Sequence, residues 1–269
     1  MKAIHPLRRL AAVALFPMLA GVALAGEPAE AAPLFLYSFN EPGKKIRNEG
    51  TIQPADLLTY GVDGQPVELF TKSGGGVTGA GADYALDFVS KPNAPGPWAE
   101  TEEDVVQLPA LDALTITFWA KVKKWNAGGS VLRLRDALSA RKQSLHVLLN
   151  TRFGLHLSVG QEGMIYLAPE NSYEGAENAW TFFCVVWNGQ KGTATFYRGE
   201  RNPNVELTLV AQKSFPAYQL EPMAGRLFVG NTNARPKDNP LVGLLDDLRL
   251  YPRALSTQEL EKIRLGVGP

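Results

Sequence analysis

The sequence predicts an all-β protein, a sandwich of two antiparallel sheets, on three observations. Short runs of β-branched and aromatic residues recur along the chain, separated by clusters of Gly, Pro, Asn and Asp. A helical period is missing over most of its length. Hydrophobic residues make up 45% of the 269 positions, enough for a sizeable core and too many for a disordered chain. The charges balance, 27 basic against 27 acidic, which leaves no electrostatic footprint for nucleic acid. One cysteine forms no internal disulfide, and with three histidines it argues against a zinc site.

Met1 to Ala25 read as an address rather than as structure. Lys2, Arg8 and Arg9 precede an apolar run from Leu10, and Ala23-Leu24-Ala25 offers the small-x-small pattern of a signal-peptidase site. The competing reading is a membrane anchor, but 16 residues from Leu10 to Ala25, broken by Pro17, are short for a span. Cleavage removes three basic and no acidic residues, leaving 24 against 27 and a net charge of −3. Residues 26–33 are then a loose leader, and 34–265 are expected to share one core. An exported chain belongs in the periplasm or outside the cell, with no stable membrane span after cleavage.

Strands are expected at 34–40, 84–88, 114–121, 130–135, 144–150, 153–159, 163–167, 180–187, 193–199, 205–211, 226–230 and 243–251. In the run 114–121, Leu114, Ile116, Phe118 and Ala120 fall on one face and Thr115, Thr117, Trp119 and Lys121 on the other. Trp180 to Trp187 is apolar at nearly every position, as in a strand covered on both sides; Cys184 inside it reads as a buried thiol. Residues 189–192 form a hairpin turn. Residues 71–82, rich in glycine, and 89–104, with Pro92, Pro95, Pro97, Trp98 and the acidic run Glu100 to Asp104, are expected as long loops. Ser256-Thr-Gln-Glu259 fits a capping box, so a short helix should follow, with Leu260 and Ile263 as its apolar stripe.

Three of these segments, in order, resemble the concanavalin A-like jelly rolls, in particular the laminin G-like group. Leu34 to Asn40 looks like the family's opening strand, Ala113 to Val122 like its central strand. Gly243 to Leu260, with the Arg253-Ala-Leu-Ser256 turn, is similar to its closing strand and small helix. The resemblance implies a two-sheet jelly-roll sandwich with a short C-terminal helix. In related jelly rolls an aspartate at the position of Asp246 binds a structural Ca²⁺, which implies a site built from Asp246, Asn40 and a carbonyl in the Gly79–Asp83 turn. By alternation alone Asp246 shares a face with Leu244, Leu248 and Leu250, where a carboxylate needs a partner. The residues also allow a metal-free reading, with Asp246 bonded to backbone amides and Asp247 paired with Arg249 or Arg253.

The same fold hosts glycoside hydrolases, whose retaining members need two carboxylates on one face, most simply as acid-x-acid. The nearest run, Glu100 to Asp104, reads as a solvated acidic loop. His146 and His156 lie in paired strands without a convincing nucleophile, and Gly74 to Gly76 lacks the residues of a phosphate cradle. No catalytic residue is therefore expected. For binding, Trp119 beside Thr115 and Thr117 offers a mixed face for a sugar ring, and Trp98, Trp125, Tyr173, Asn231 and Asn233 are candidates for one rim. The expected function is an exported, non-catalytic module for a polysaccharide, a glycoconjugate or a surface or matrix protein, with Ca²⁺ as its expected cofactor. The alternatives are a polysaccharide-acting hydrolase of the same fold and a purely structural envelope protein.

Overall fold

The computed structural model describes residues 32–88, 96–102, 106–123, 129–135, 143–150, 154–161, 165–168, 172–231 and 240–266. Its strands are, in order, β1 (Phe35–Tyr37), β2 (Lys45–Ile46), β3 (Leu57–Tyr60), β4 (Leu86–Asp87), β5 (Trp98–Thr101) and β6 (Val106–Leu108). Then come β7 (Ala113–Val122), β8 (Gly129–Arg135), β9 (Gln143–Leu149), β10 (Leu155–Gln161), β11 (Ile165–Leu167) and β12 (Thr181–Asn188). The last are β13 (Thr193–Gly199), β14 (Thr208–Ser214), β15 (Met223–Gly225), β16 (Leu227–Val229) and β17 (Gly243–Tyr251), followed by α1 (Thr257–Leu265).

They form the two-sheet sandwich that alternation requires. A seven-stranded sheet runs β1-β17-β7-β12-β13-β14, with β4 also on β17; an eight-stranded sheet runs β11-β10-β9-β8-β16-β5-β3-β2, and β15 and β6 pair separately. All the strand pairs are antiparallel among the described residues. Inward residues of β7 (Leu114, Ile116, Phe118, Ala120) and β12 (Phe183, Val185, Trp187) meet those of β9 and β10 (Leu145, Val147, Leu149, Leu155, Leu157, Val159) in the main core. Phe118 and Phe183 stack there, centroids 5.2 Å apart.

Three expectations need correction. The stretch 89–104 is not one long loop: β5 lies within it and takes a place between β16 and β3. The strand expected at 205–211 is displaced to 208–214, because β14 pairs with β13 only after the polar turn at 200–207. Alternation also fails on β17. Its register against β7 shifts between Asp246 and Arg249, with Asp247 at φ +47°, a bulge that inverts the phase. Leu245, Leu248 and Leu250 consequently share the main core, and Asp246 points to the opposite face.

Candidate functional site

The outer face of the seven-stranded sheet carries a second core. Trp119 pairs with Phe182, Thr117 with Cys184 and Thr115 with Val186, all pointing away from the main core. Leu255, and Leu260 and Ile263 of α1, cover them. The hydroxyl of Thr115 fixes the linker by donating to the Arg253 carbonyl at 2.8 Å and accepting from Leu255 N–H at 3.0 Å. The capping box holds as expected: Ser256 Oγ accepts from Glu259 N–H, and the Glu259 carboxylate accepts from Ser256 N–H at 2.7 Å.

From its last turn α1 reaches a neighbouring loop. The Arg264 side chain, 1% exposed, pairs with Glu261 at 2.6 Å and donates to the carbonyls of Glu200 and Asn202. Glu261 in turn accepts from Leu207 N–H. Both ends of the β13–β14 connection are thereby tied to the helix. That connection walls a cavity of about 630 Å³ together with Trp180, Thr181, Arg198 and the 174–179 loop. Trp180 stands one residue before β12, half-buried, packed against the second core and lining the cavity. Opposite it, Arg198 donates to the Ser172 and Glu174 carbonyls at 3.2 and 3.4 Å and so holds the other rim.

Arg201, also lining the cavity, reaches the Val77 carbonyl at 3.4 Å, while Val77 N–H donates to Asp246 Oδ2 at 2.8 Å. One residue therefore links the cavity to a cleft of carboxylates. Asp246 is 2% exposed, and burial pushes its carboxyl up to about 8, with the nearby charges of Asp83 and Asp247 adding to the rise. Asp83 accepts from Thr78 N–H, Thr78 Oγ1 and Gly79 N–H. Gly76 is obligatory in this loop, since a Cβ there would meet the Asp83 carboxylate at 2.5 Å. Asp247 pairs with Arg249 at 2.8 Å. Among the described residues no group of three or more His, Cys, Asp or Glu side chains is placed to hold a metal.

The residues singled out from sequence are scattered. Trp119 is not a platform: it is 2% exposed and packs on Phe182, because α1 and its linker cover that face. Tyr173 is buried against Phe183, and only its neighbours Glu174 to Ala176 reach the cavity. Asn231 Nδ2 donates to the carbonyl of Gly96, two residues before Trp98, at 3.2 Å. Asn231 and Trp98 are both buried, Trp98 stacked on Tyr60. Trp125 and Asn233 lie outside the described residues. Asn40 is exposed and lines a different, smaller cavity with Ser38, Glu41 and Arg47, of which Asp246 is no part. Trp180 was missed because it reads as the start of an apolar strand; its position after the polar stretch 170–179 was the available signal.

The outer face of the eight-stranded sheet differs in kind. Cross-strand partners run Ser158, His146, Arg133, Phe228, Glu100, Leu58 and Lys45 in one row. Ser130 Oγ lies 3.1 Å from His146 Nε2, so a serine does stand beside that histidine. Burial, with help from Arg133 and His156, lowers His146 to about 4 and keeps it neutral. Glu100 is no solvated loop residue. It is 5% exposed, paired with Arg226 at 3.0 Å, and raised by burial. Glu102 follows two residues on, exposed and paired with Lys45 at 2.6 Å.

A jelly-roll sandwich closed by a small helix defines the class of protein, and the sequence agrees with it. The profile of the Concanavalin A-like lectin/glucanases superfamily matches residues 96–261, and the chain belongs to that family. No curated protein matches it by sequence. Among solved structures it is similar to the binding domain of botulinum neurotoxin serotype G, with a TM-score of 0.55 and 10% identity over 86% of this chain and 50% of that one. It is also similar to the binding domain of botulinum neurotoxin DC in complex with SialylT, with a TM-score of 0.51 and 11% identity over 89% and 52%. The chain thus spans about half of each toxin domain, and at such identity the likeness is one of fold. A heptameric SAP-like pentraxin from Limulus polyphemus aligns with a TM-score of 0.48 and 18% identity over 66% of this chain and 80% of that one. No helix among the described residues is long and apolar enough to cross a membrane.

Proposed function

We propose that this chain is an exported, non-catalytic module that binds a carbohydrate in the cavity beside Trp180. The observation that carries the reading is that cavity itself: about 630 Å³, with an indole for one wall and Arg198, Arg201, Asn202 and Glu206 around it. Its size falls in the range of small-ligand sites, and a ring face surrounded by planar hydrogen-bonding groups suits a sugar's apolar face and hydroxyl edge. The helix clamp supports it further, since a prefixed wall lowers the ordering cost of binding. The toxin domain solved with SialylT shares the fold. Titration against a polysaccharide panel tests the reading. Binding of at least one glycan is expected, with a tenfold or greater loss in Trp180→Ala, about 1.4 kcal/mol. Unaltered binding in that variant, or no binding to any glycan, would sink it.

A structural Ca²⁺ belongs to the same proposal, now with Asp246 and Asp83 rather than Asn40 as its side-chain ligands. Two carboxylates in one buried cleft repel each other, and a hard cation with oxygen ligands would relieve that repulsion. The ion would fix the 76–83 loop and, through Val77, one rim of the cavity. Melting with calcium and with a chelator tests it: a rise with calcium, absent in Asp246→Asn, is expected. Export is tested by the N-terminus of protein recovered from outside the cytoplasm, expected at Gly26.

One observation favours a second reading, a glycoside hydrolase. Glu100 on β5 and Glu102 just past its end stand two residues apart, the acid-x-acid spacing of retaining enzymes, and the elevated Glu100 would suit a general acid. Each is held by a cation, Arg226 and Lys45. Release of reducing sugar, abolished in Glu102→Gln, would establish that reading over the first.

A further inference from the structure

Five charged side chains line the cavity at Trp180, and they divide unevenly. The cations are engaged: Arg198 with the carbonyls of Ser172 and Glu174, Arg201 with that of Val77. The carboxylates of Glu174, Glu200 and Glu206 are exposed, and among the described residues none of the three has a salt bridge or hydrogen bond. Behind the wall, Arg264 is already neutralised by Glu261. The cavity thus carries one net negative charge, three carboxylates without a hydrogen bond against two guanidiniums each anchored to backbone carbonyls through Nη1. An ammonium group is the complement, three donors and no acceptor. A protonated amine would also be drawn to the face of the Trp180 indole. A sugar carboxylate would instead meet three like charges and two guanidiniums already oriented towards backbone carbonyls.

We infer that the cavity selects an amine-bearing carbohydrate, a sugar whose amino group is free rather than acetylated, over neutral and acidic sugars. The inference rests on the carbohydrate reading of the same cavity. The indole supplies stacking for any pyranose, and Glu174, Glu200 and Glu206 supply the preference. The N-acetylated counterpart offers an amide in place of the ammonium, so it keeps the stacking and loses the charge.

The full chain, titrated at pH 6 with oligomers of glucosamine, N-acetylglucosamine and galacturonate, tests this. Glucosamine oligomers are expected to bind about fivefold tighter than N-acetylated ones, the upper end for a solvent-exposed ion pair. The advantage should shrink as salt rises from 0.05 to 0.5 M (about 14 to 4 Å of screening length). Glu200→Gln and Glu206→Gln, both at exposed positions that leave folding intact, should bring the glucosamine affinity towards the N-acetylated one without changing the latter. Equal affinities, a preference for galacturonate, or no response to either substitution would overturn the amine while leaving the carbohydrate reading in place. If no oligomer binds, both fail. If Trp180→Ala leaves the affinity for glucosamine oligomers unchanged, the amine is read elsewhere and the inference is wrong.

Discussion

The two sheets of this sandwich share a main core and differ on their outer faces. On the seven-stranded sheet the outward positions are Trp119, Phe182, Cys184, Val186 and Tyr251, and α1 lies over them. On the eight-stranded sheet the corresponding positions are Ser158, His146, Arg133 and Glu100, polar or charged side chains with Arg226 laid against Glu100. A β-strand alternates whatever lies outside it, so alternation reveals which side is the core only where the other side stays wet. The helix reverses that inference for Trp119. The cavity between Trp180 and the 200–207 connection lies beside that covered face.

Truncation should separate the faces most strongly. Trp119→Ala removes a buried indole from the second core and is expected to cost about 3–5 kcal/mol. Ser158→Ala, outward on the other sheet and half-buried, should stay within about 0.5 kcal/mol. Denaturant midpoints at a common slope measure both, and similar costs would mean that α1 does not seal its face.

Much of the fold was legible for the same reason. β13 and β17 fall on the expected residues 193–199 and 243–251, and the apolar run at 180–187 is indeed covered on both sides by the two cores. β5 was hidden by Pro92, Pro95 and Pro97 and by its acidic composition. It is a strand because β3 and β16, distant in sequence, supply partners and Arg226 neutralises Glu100. The bulge at Asp247 left no trace, since Leu244, Leu248 and Leu250 alternate without conflict, and only the structure puts Leu245 in the main core with Leu248 and Leu250. The cavity left none. It assembles from residues 174–181, 198–208 and a clamp at Arg264, and no local period brings those together.

The faces should also respond to pH in opposite directions. His146 is lowered from 6.5 to about 4, so the unfolded chain binds the proton more readily. Its contribution is whole above pH 6.5 and is lost as pH falls towards 4. Asp246 is raised from 3.8 to about 8, so the folded chain keeps a proton that the unfolded chain releases. That contribution is whole below pH 3.8 and is lost as pH rises through 8. Melting temperatures in chelator should therefore fall on both sides of an optimum. His146→Asn should flatten the acid limb and Asp246→Asn the alkaline limb. An acid limb unchanged in His146→Asn would mean that other groups set it.

The smallest expected effect asks how the cover is held. Ser256→Ala removes the Oγ half of the capping box, while Glu259 keeps the backbone N–H of residue 256 and its pair with Arg253 at 2.6 Å. A cap of this kind is worth about 1 kcal/mol. The cap secures the first turn of α1, while the contacts to the 200–207 connection come from Glu261 and Arg264 further along. If Leu260 and Ile263 hold the helix down independently, Ser256→Ala lowers the midpoint by that amount and leaves glycan affinity at Trp180 unchanged. An affinity loss matching the loss of stability would instead show that the first turn and the cavity wall open together, with the cover and the site behaving as one cooperative unit.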